Sequence, residues 1–285
     1  MPLAETTLEV PRYRQRRSVS QLTGFVRCGE AYRLEKAARA PARPAAWFMM
    51  GTAVHGAIEH YELNHRAASA DEIGQLAVLE YDQLIDDAME REPNPARWLT
   101  GGNKKGENDI RDRRIRTGEY AEAYVRFAEA HSEEWRILQL GDQPAVELEF
   151  TVDFGGVQVL GYIDQVRHYR DGRIEPVDIK TGSRKQDSSF QLAIYAHAIN
   201  ANLGVLPIVG SFWEAKHEAD STMPLGGWSK ELLDDMFSRF DQAERQALYV
   251  PNPGDACRTC PVADYCRVNG VPDLASEYAG TFERV

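Results

Sequence analysis

A chain of 285 residues with 43% apolar and 27% charged side chains can bury one large core or two modest ones. Its net charge of −11 argues against a protein that coats nucleic acid through bulk electrostatics, and no apolar run approaches the ~20 residues a membrane helix needs. Four cysteines are too few for a secreted disulfide scaffold of this length.

Residues 1–17 carry Arg12, Arg14, Arg16 and Arg17 with no following apolar segment, and read as a flexible basic arm rather than a secretory signal. Ser18-Val19-Ser20-Gln21 starts a helix whose interrupted apolar face runs from Leu22 to Leu34, with Cys28 inside it and Pro41 and Pro44 beyond its end. A second helix, about 48–66, contains Gly51-Thr52-Ala53-Val54-His55-Gly56-Ala57-Ile58-Glu59. His55 and Glu59 are four apart and share a face. With a metal site elsewhere, His55 is a candidate ligand and Glu59 its orienting partner. A third amphipathic helix spans 71–91 and stops before Pro93 and Pro95. Residues 101–118 then hold Lys104, Lys105, Arg111, Arg113, Arg114 and Arg116 against three acids, a composition that predicts a mobile basic insert. A fourth helix is expected over 117–138, with Tyr120, Tyr124, Phe127 and Trp135 as core packing.

Residues 145–181 break into three alternating runs separated by Phe154-Gly155-Gly156 and Arg170-Asp171-Gly172, the pattern of a β-meander. A two-residue Asp171-Gly172 loop would set Asp164 opposite Ile179. A three-residue loop, with Gly172 left-handed, pairs Tyr169 with Arg173 and sets Asp164 opposite Asp178. The second register is the one expected here, because Asp178 and Lys180 then point the same way as Asp164. Two converging carboxylates repel unless a hard divalent cation sits between them. Such an ion activates water and stabilises a pentavalent phosphate, with Lys180 positioning the attacking hydroxide. The triplet Asp178-Ile179-Lys180 taken alone is a weak signal.

A fifth helix opens at Phe190, with Gln191 and Tyr195 on one face at the mouth of that site, and Arg184 and Lys185 lie in the loop before it. A strand over 208–214 and a helix over 230–249 follow. Cys257, Cys260 and Cys266 then form C-x2-C-x5-C, and with the distant Cys28 they supply the four thiolates that either a tetrahedral zinc or a [4Fe-4S] cluster requires. Either centre would clamp the two ends of the chain together. No G-x-x-x-x-G-K-[ST] phosphate loop is present, so the chain is not expected to hydrolyse ATP by itself.

In order, the chain shows Cys28, G-T-x-x-H-x-x-x-E at 51–59, G-Y-I-D at 161–164, D-I-K at 178–180, Q-x-x-x-Y at 191–195 and C-x2-C-x5-C at 257–266. This set resembles the RecB-type branch of the PD-(D/E)xK nucleases, and within it the iron-sulfur exonucleases typified by the CRISPR-associated adaptation nuclease and its phage relatives. The resemblance covers about residues 18–270. It implies an α/β fold with a restriction-endonuclease-like core, a central mixed sheet flanked by helices, and an iron-sulfur-stapled helical region joining the two ends. It implies that Asp164, Asp178, the Ile179 carbonyl and His55 bind Mg2+ or Mn2+, that Lys180 assists the nucleophile, and that Gln191 and Tyr195 guide the DNA strand. It also implies that Cys28, Cys257, Cys260 and Cys266 hold a [4Fe-4S] cluster. Asp178 departs from the Glu of many members and sets its carboxylate one methylene further back.

The expected organisation is an arm (1–17), a helical region with Cys28 and His55 (18–140), a catalytic core (141–215) and a C-terminal helix with the cysteine segment (216–285). The expected activity is a metal-dependent DNA exonuclease on single strands or duplex ends, 5′ to 3′ by family analogy. It would work in the cytoplasm of a bacterial, archaeal or phage-infected cell, beside a recombination or CRISPR adaptation partner. The competing reading is a DNA-end-binding or assembly subunit with little nuclease activity.

Overall fold

The computed structural model describes residues 16–270. In chain order the elements are β1 (Arg16–Arg17), α1 (Val19–Arg27), α2 (Gly29–Tyr32), a π-helical turn (Arg33–Ala37), α3 (Ala46–Leu63), α4 (Ala70–Arg91), α5 (Glu107–Ala130), β2 (Trp135–Ile137), β3 (Gln139–Leu140), β4 (Gln143–Pro144), β5 (Val146–Phe154), β6 (Val157–Tyr169), β7 (Ile174–Lys180), α6 (Phe190–Leu203), β8 (Val209–Glu214), β9 (Ala219–Pro224) and α7 (Lys230–Arg245). Short 3-10 turns carry the chain through the cysteine segment. No helix among the described residues is long and apolar enough to cross a membrane.

Two compact units divide the chain: residues 42–150 with 161–229, and the described residues of 1–41, 151–160 and 230–285. The units are discontinuous, unlike the consecutive segments expected from sequence. The long strands β5 and β6 are the cause, since each lends one half to each unit.

In the larger unit β2 and β7 pair antiparallel with β6, β7 runs parallel to β8, and β8 is antiparallel to β9. The result is a mixed sheet with flanking helices, as expected. Helix α6 is the crossover that a parallel β7–β8 pair requires, and it buries Leu192, Ala193, Ile194, Ala196 and Ile199. Helices α3, α4 and α5 pack on one another, and a buried polar chain ties them to β6. Tyr124 donates to Glu62 (2.6 Å), Gln165 donates to Tyr124 (2.6 Å), and the buried Arg167 pairs with Asp220 (2.7 Å) while lying 3.9 Å over the Trp135 ring. Each group finds a partner, which is the condition for burying it at tolerable cost.

Several expectations need correction here. The basic insert is mostly the first turns of α5, and four of its six cations are matched by acids: Arg113 with Asp109 (3.2 Å), Arg114 with Asp82 (2.7 Å), and Lys104 and Arg116 with Asp112. Spacing of three and four residues turns a charge-rich run into a helix stabilised by its own pairs. Helix α5 therefore starts and ends earlier than expected, and Trp135 falls on strand β2. Most of the arm lies outside the described residues, but its end is strand β1, parallel to β6, and Arg17 is buried between Asp241 (2.6 Å) and Glu244.

In the smaller unit the capping box of Ser18 and Gln21 starts α1, as expected. The helix breaks at Cys28, which is extended (φ −166°) and stands between α1 and α2 rather than within one helix. The break brings Gly29 against the C-terminal segment. A Cβ there would lie 2.7 Å from the Val250 nitrogen, and the Gly29 N–H donates to the Val250 carbonyl (3.0 Å).

Candidate metal centre

The β6–β7 turn sets the site. Paired residues run from His168 with Ile174 to Gln165 with Val177, and one further step places Asp164 opposite Asp178. Gly172 takes φ 88°, its N–H donates to the Tyr169 carbonyl (2.9 Å), and the Tyr169 N–H donates to the Arg173 carbonyl (2.9 Å). This is the three-residue loop and the register expected from sequence. Both carboxylates are buried, and the Ile179 N–H donates to Asp164 Oδ2 (2.7 Å).

Helix α3 brings His55 to the same place. Its Nε2 lies 2.9 Å from the Ile179 carbonyl oxygen and its Nδ1 lies 3.4 Å from Asp164 Oδ2. A third group, Glu147 of β5, completes a set whose ligand atoms, one each from His55, Glu147 and Asp164, all lie within 4.8 Å of one another. Sequence reading missed Glu147. A two-residue turn at Gly155-Gly156 would have set it opposite Asp164 by the arithmetic used for Asp178. Glu59 does not orient His55. It faces Glu80 and Glu147, raising the proton affinity of both.

Asp178 lies outside that triple but beside Asp164, in a closed ring of side chains. Lys180 Nζ sits 2.5 Å from Asp178 Oδ2 and donates to Gln191 Oε1 (3.0 Å). Gln191 Nε2 donates to the Tyr195 hydroxyl (2.7 Å), which donates to Asp178 Oδ1 (3.4 Å). Gln191 and Tyr195 thus share a face as expected, but Tyr195 is buried in the wall instead of standing at the mouth. Gln191 and Tyr195, one turn apart on α6, hold the ammonium and the carboxylate together. Asp178 Oδ2 is buried, and its partner is the Lys180 ammonium.

The electrostatics follow from crowding. Burial first, and the charge of Asp178 second, push the Asp164 carboxyl well above the usual carboxylate range. Burial followed by Glu59 and Asp178 raises Glu147, and burial followed by Glu59 raises Glu80. Burial lowers the His55 imidazole, so it stays neutral and free to ligate. The donor set of carboxylate oxygens, a carbonyl and one imidazole fits a hard divalent cation such as Mg2+ or Mn2+.

In the other unit Cys28, Cys257, Cys260 and Cys266 line one cavity, packed at its floor by Ala31, Leu34 and Val262. The Asn252 N–H points at Cys28 Sγ and the Gly254 N–H at Cys257 Sγ, each at 3.4 Å. No three of the four sulfurs lie within 4.8 Å of one another.

A mixed sheet with a D-x-K strand whose carboxylate faces a second buried Asp defines a metal-dependent nuclease core, and the comparisons agree. The sequence model of the PD-(D/E)XK nuclease superfamily matches residues 16–267, and the chain belongs to that superfamily. It is similar to the gene 69 proteins of two mycobacteriophages. That of phage D29 is 31% identical over 263 residues, and that of phage L5 is 30% identical over 281 residues. Each alignment takes in 88% of this chain and 96% of the relative.

Proposed function

We propose that this chain is a metal-dependent DNA exonuclease. The observation that carries the reading is the meeting of buried Asp164 and Asp178 with Lys180 and His55. Asp164, Asp178, Glu147, His55 and the Ile179 carbonyl would hold Mg2+ or Mn2+. The bound ion supplies a lowered water pKa and positive charge for the developing phosphorane. Lys180, held by Asp178 and Gln191, presents its ammonium beside the attacking oxygen. Tyr195 fixes Gln191 and Asp178, and so acts as a positioning residue through both. The substrate is DNA as single strands or duplex ends, cut 5′ to 3′ on family analogy. The setting is recombination, repair, phage replication or spacer processing in the cytoplasm of a phage-infected, bacterial or archaeal cell, beside a partner of that pathway.

The four cysteines form the second centre, a [4Fe-4S] cluster. A cluster binds each of the four thiolates to a different iron, and a structural zinc ion is the alternative for the same donors. The two N–H groups directed at sulfur suit thiolate charge. Brown protein with stoichiometric iron and sulfide supports this assignment. Colourless protein with one zinc overturns it.

Purified protein should cleave DNA with Mn2+ or Mg2+ and not with EDTA. Asp178→Ala and Lys180→Ala should each abolish cleavage with the fold intact. Undiminished cleavage in both variants overturns the nuclease reading. Tight end-binding without turnover favours an assembly subunit.

A further inference from the structure

Two large aromatic rings stand in solvent on the two elements that carry His55 and Asp164. Phe48 is 61% exposed and Tyr162 is 49% exposed. Phe48, Thr52 and His55 fall on one face of α3, so Phe48 lies about 10 Å along the helix from His55 at 1.5 Å per residue. Gly51, on the same side, would touch Thr181 of the loop after β7 if it carried a Cβ. Tyr162 lies two residues before Asp164 on β6, on the same face and about 7 Å away. Its hydroxyl donates to Glu149 (3.1 Å), two residues from Glu147 on β5, which places the ring at the rim of the ligand triple. His55 and Asp164 touch at 3.4 Å, so the two faces meet at the metal centre with one exposed ring on each.

The charge pattern points the same way. Four of the six cations at 101–118 are matched by acids, and Arg184 and Lys185, exposed in the loop that follows Lys180, have no ion-pair partner among the described residues. In a chain of net charge −11, two unmatched cations beside an acidic centre are a local attraction for phosphate.

We infer that Phe48 and Tyr162 are base-stacking residues and that Arg184 and Lys185 contact phosphate, so that the site takes an extended single strand in preference to duplex. The inference rests on the nuclease reading and adds the substrate form. Stacking on an aromatic ring needs a base face that duplex DNA keeps covered, and it tolerates any sequence because every base has such a face.

The test is steady-state cleavage of labelled oligo-dT and of a blunt duplex by the full chain with Mn2+. Wild type is compared with Phe48→Ala, Tyr162→Ala, Tyr162→Phe and the surface control Leu79→Ala. The expected result is a KM for oligo-dT about tenfold higher in each ring-deleting variant, restored in Tyr162→Phe, with the duplex KM and the control unmoved. Tyr162→Phe separates the ring from the hydroxyl bond to Glu149. An oligo-dT KM in Phe48→Ala and Tyr162→Ala equal to wild type overturns the inference and leaves the nuclease reading standing. Equal losses on both substrates also overturn it. Absence of metal-dependent cleavage by wild type overturns the nuclease reading itself.

Discussion

At the scale of single residues, the metal centre stores repulsion that an ion relieves. Asp164 is buried beside Asp178 and Glu147, and its carboxyl is pushed upward first by burial and then by its neighbour's charge. Replacing it with Asn removes one charge and keeps an acceptor for the Ile179 N–H. Asp164→Asn should therefore melt about 3 °C higher than wild type in EDTA, and should lose the thermal stabilisation that Mg2+ or Mn2+ gives wild type. A variant less stable in EDTA, or still stabilised by metal, contradicts the account. The residues of this centre were unequally legible. Asp164, Asp178 and Lys180 followed from one turn, because Gly172 makes a three-residue loop and strand alternation does the rest. His55 followed from helical spacing and the resemblance. Glu147 was hidden because it belongs to no motif and takes φ 45°, outside regular strand geometry. Glu59 was misread because helical spacing gives a shared face but not which neighbour occupies it.

Among the elements, the smallest strand carries an unexpected load. Arg17 of β1 is enclosed by Asp241 and Glu244 of α7, with its guanidinium 5.5 Å from the Phe240 ring. Arg17→Ala takes the guanidinium from buried Glu244, which keeps the Tyr32 hydroxyl, and from half-buried Asp241, which keeps Arg245, and should lower stability by about 3 kcal/mol in urea unfolding. A loss below about 1 kcal/mol contradicts that reading of β1. Composition concealed it, since four arginines in seventeen residues look like a solvated arm until a partner helix is known. Strand β7 offers a pH-dependent test away from the metal centre. Buried Glu175 is raised chiefly by desolvation, against the lowering effect of its bonds from Ser211 and Arg173. A carboxyl raised on folding contributes stability below its unfolded value, about 4.3, and loses it as pH climbs through the folded value. Glu175→Gln keeps an acceptor for Ser211 and removes that loss. Its stability relative to wild type should improve between pH 4 and pH 8, as followed by urea midpoints; a flat or declining difference contradicts the sign.

On the scale of the whole molecule, the order of elements was readable and their grouping was not. The α/β character, the meander and the crossover helix all show in periodicity, because each buries one face against one neighbour. The division into two discontinuous units does not show, since β5 and β6 pass through both without any break in pattern. The meeting of Cys28 with the C-terminal cysteines was legible only as a need for a fourth ligand. In the fold that need coincides with the close approach of Gly29 to Val250. Cys28→Ser should lower the melting temperature of cluster-loaded protein by about 5 °C or more and bleach its colour, because one lost ligand opens the clamp. An unchanged melting temperature contradicts a structural role for the centre. Nuclease activity is decided by a cleavage time course on 5′- and 3′-labelled single strands with Mn2+, Mg2+ or EDTA, wild type against Asp178→Ala. A metal-dependent ladder from one end, lost in Asp178→Ala, is the expected result; absence of cleavage by freshly purified protein, or an undiminished ladder in the variant, would overturn the assignment.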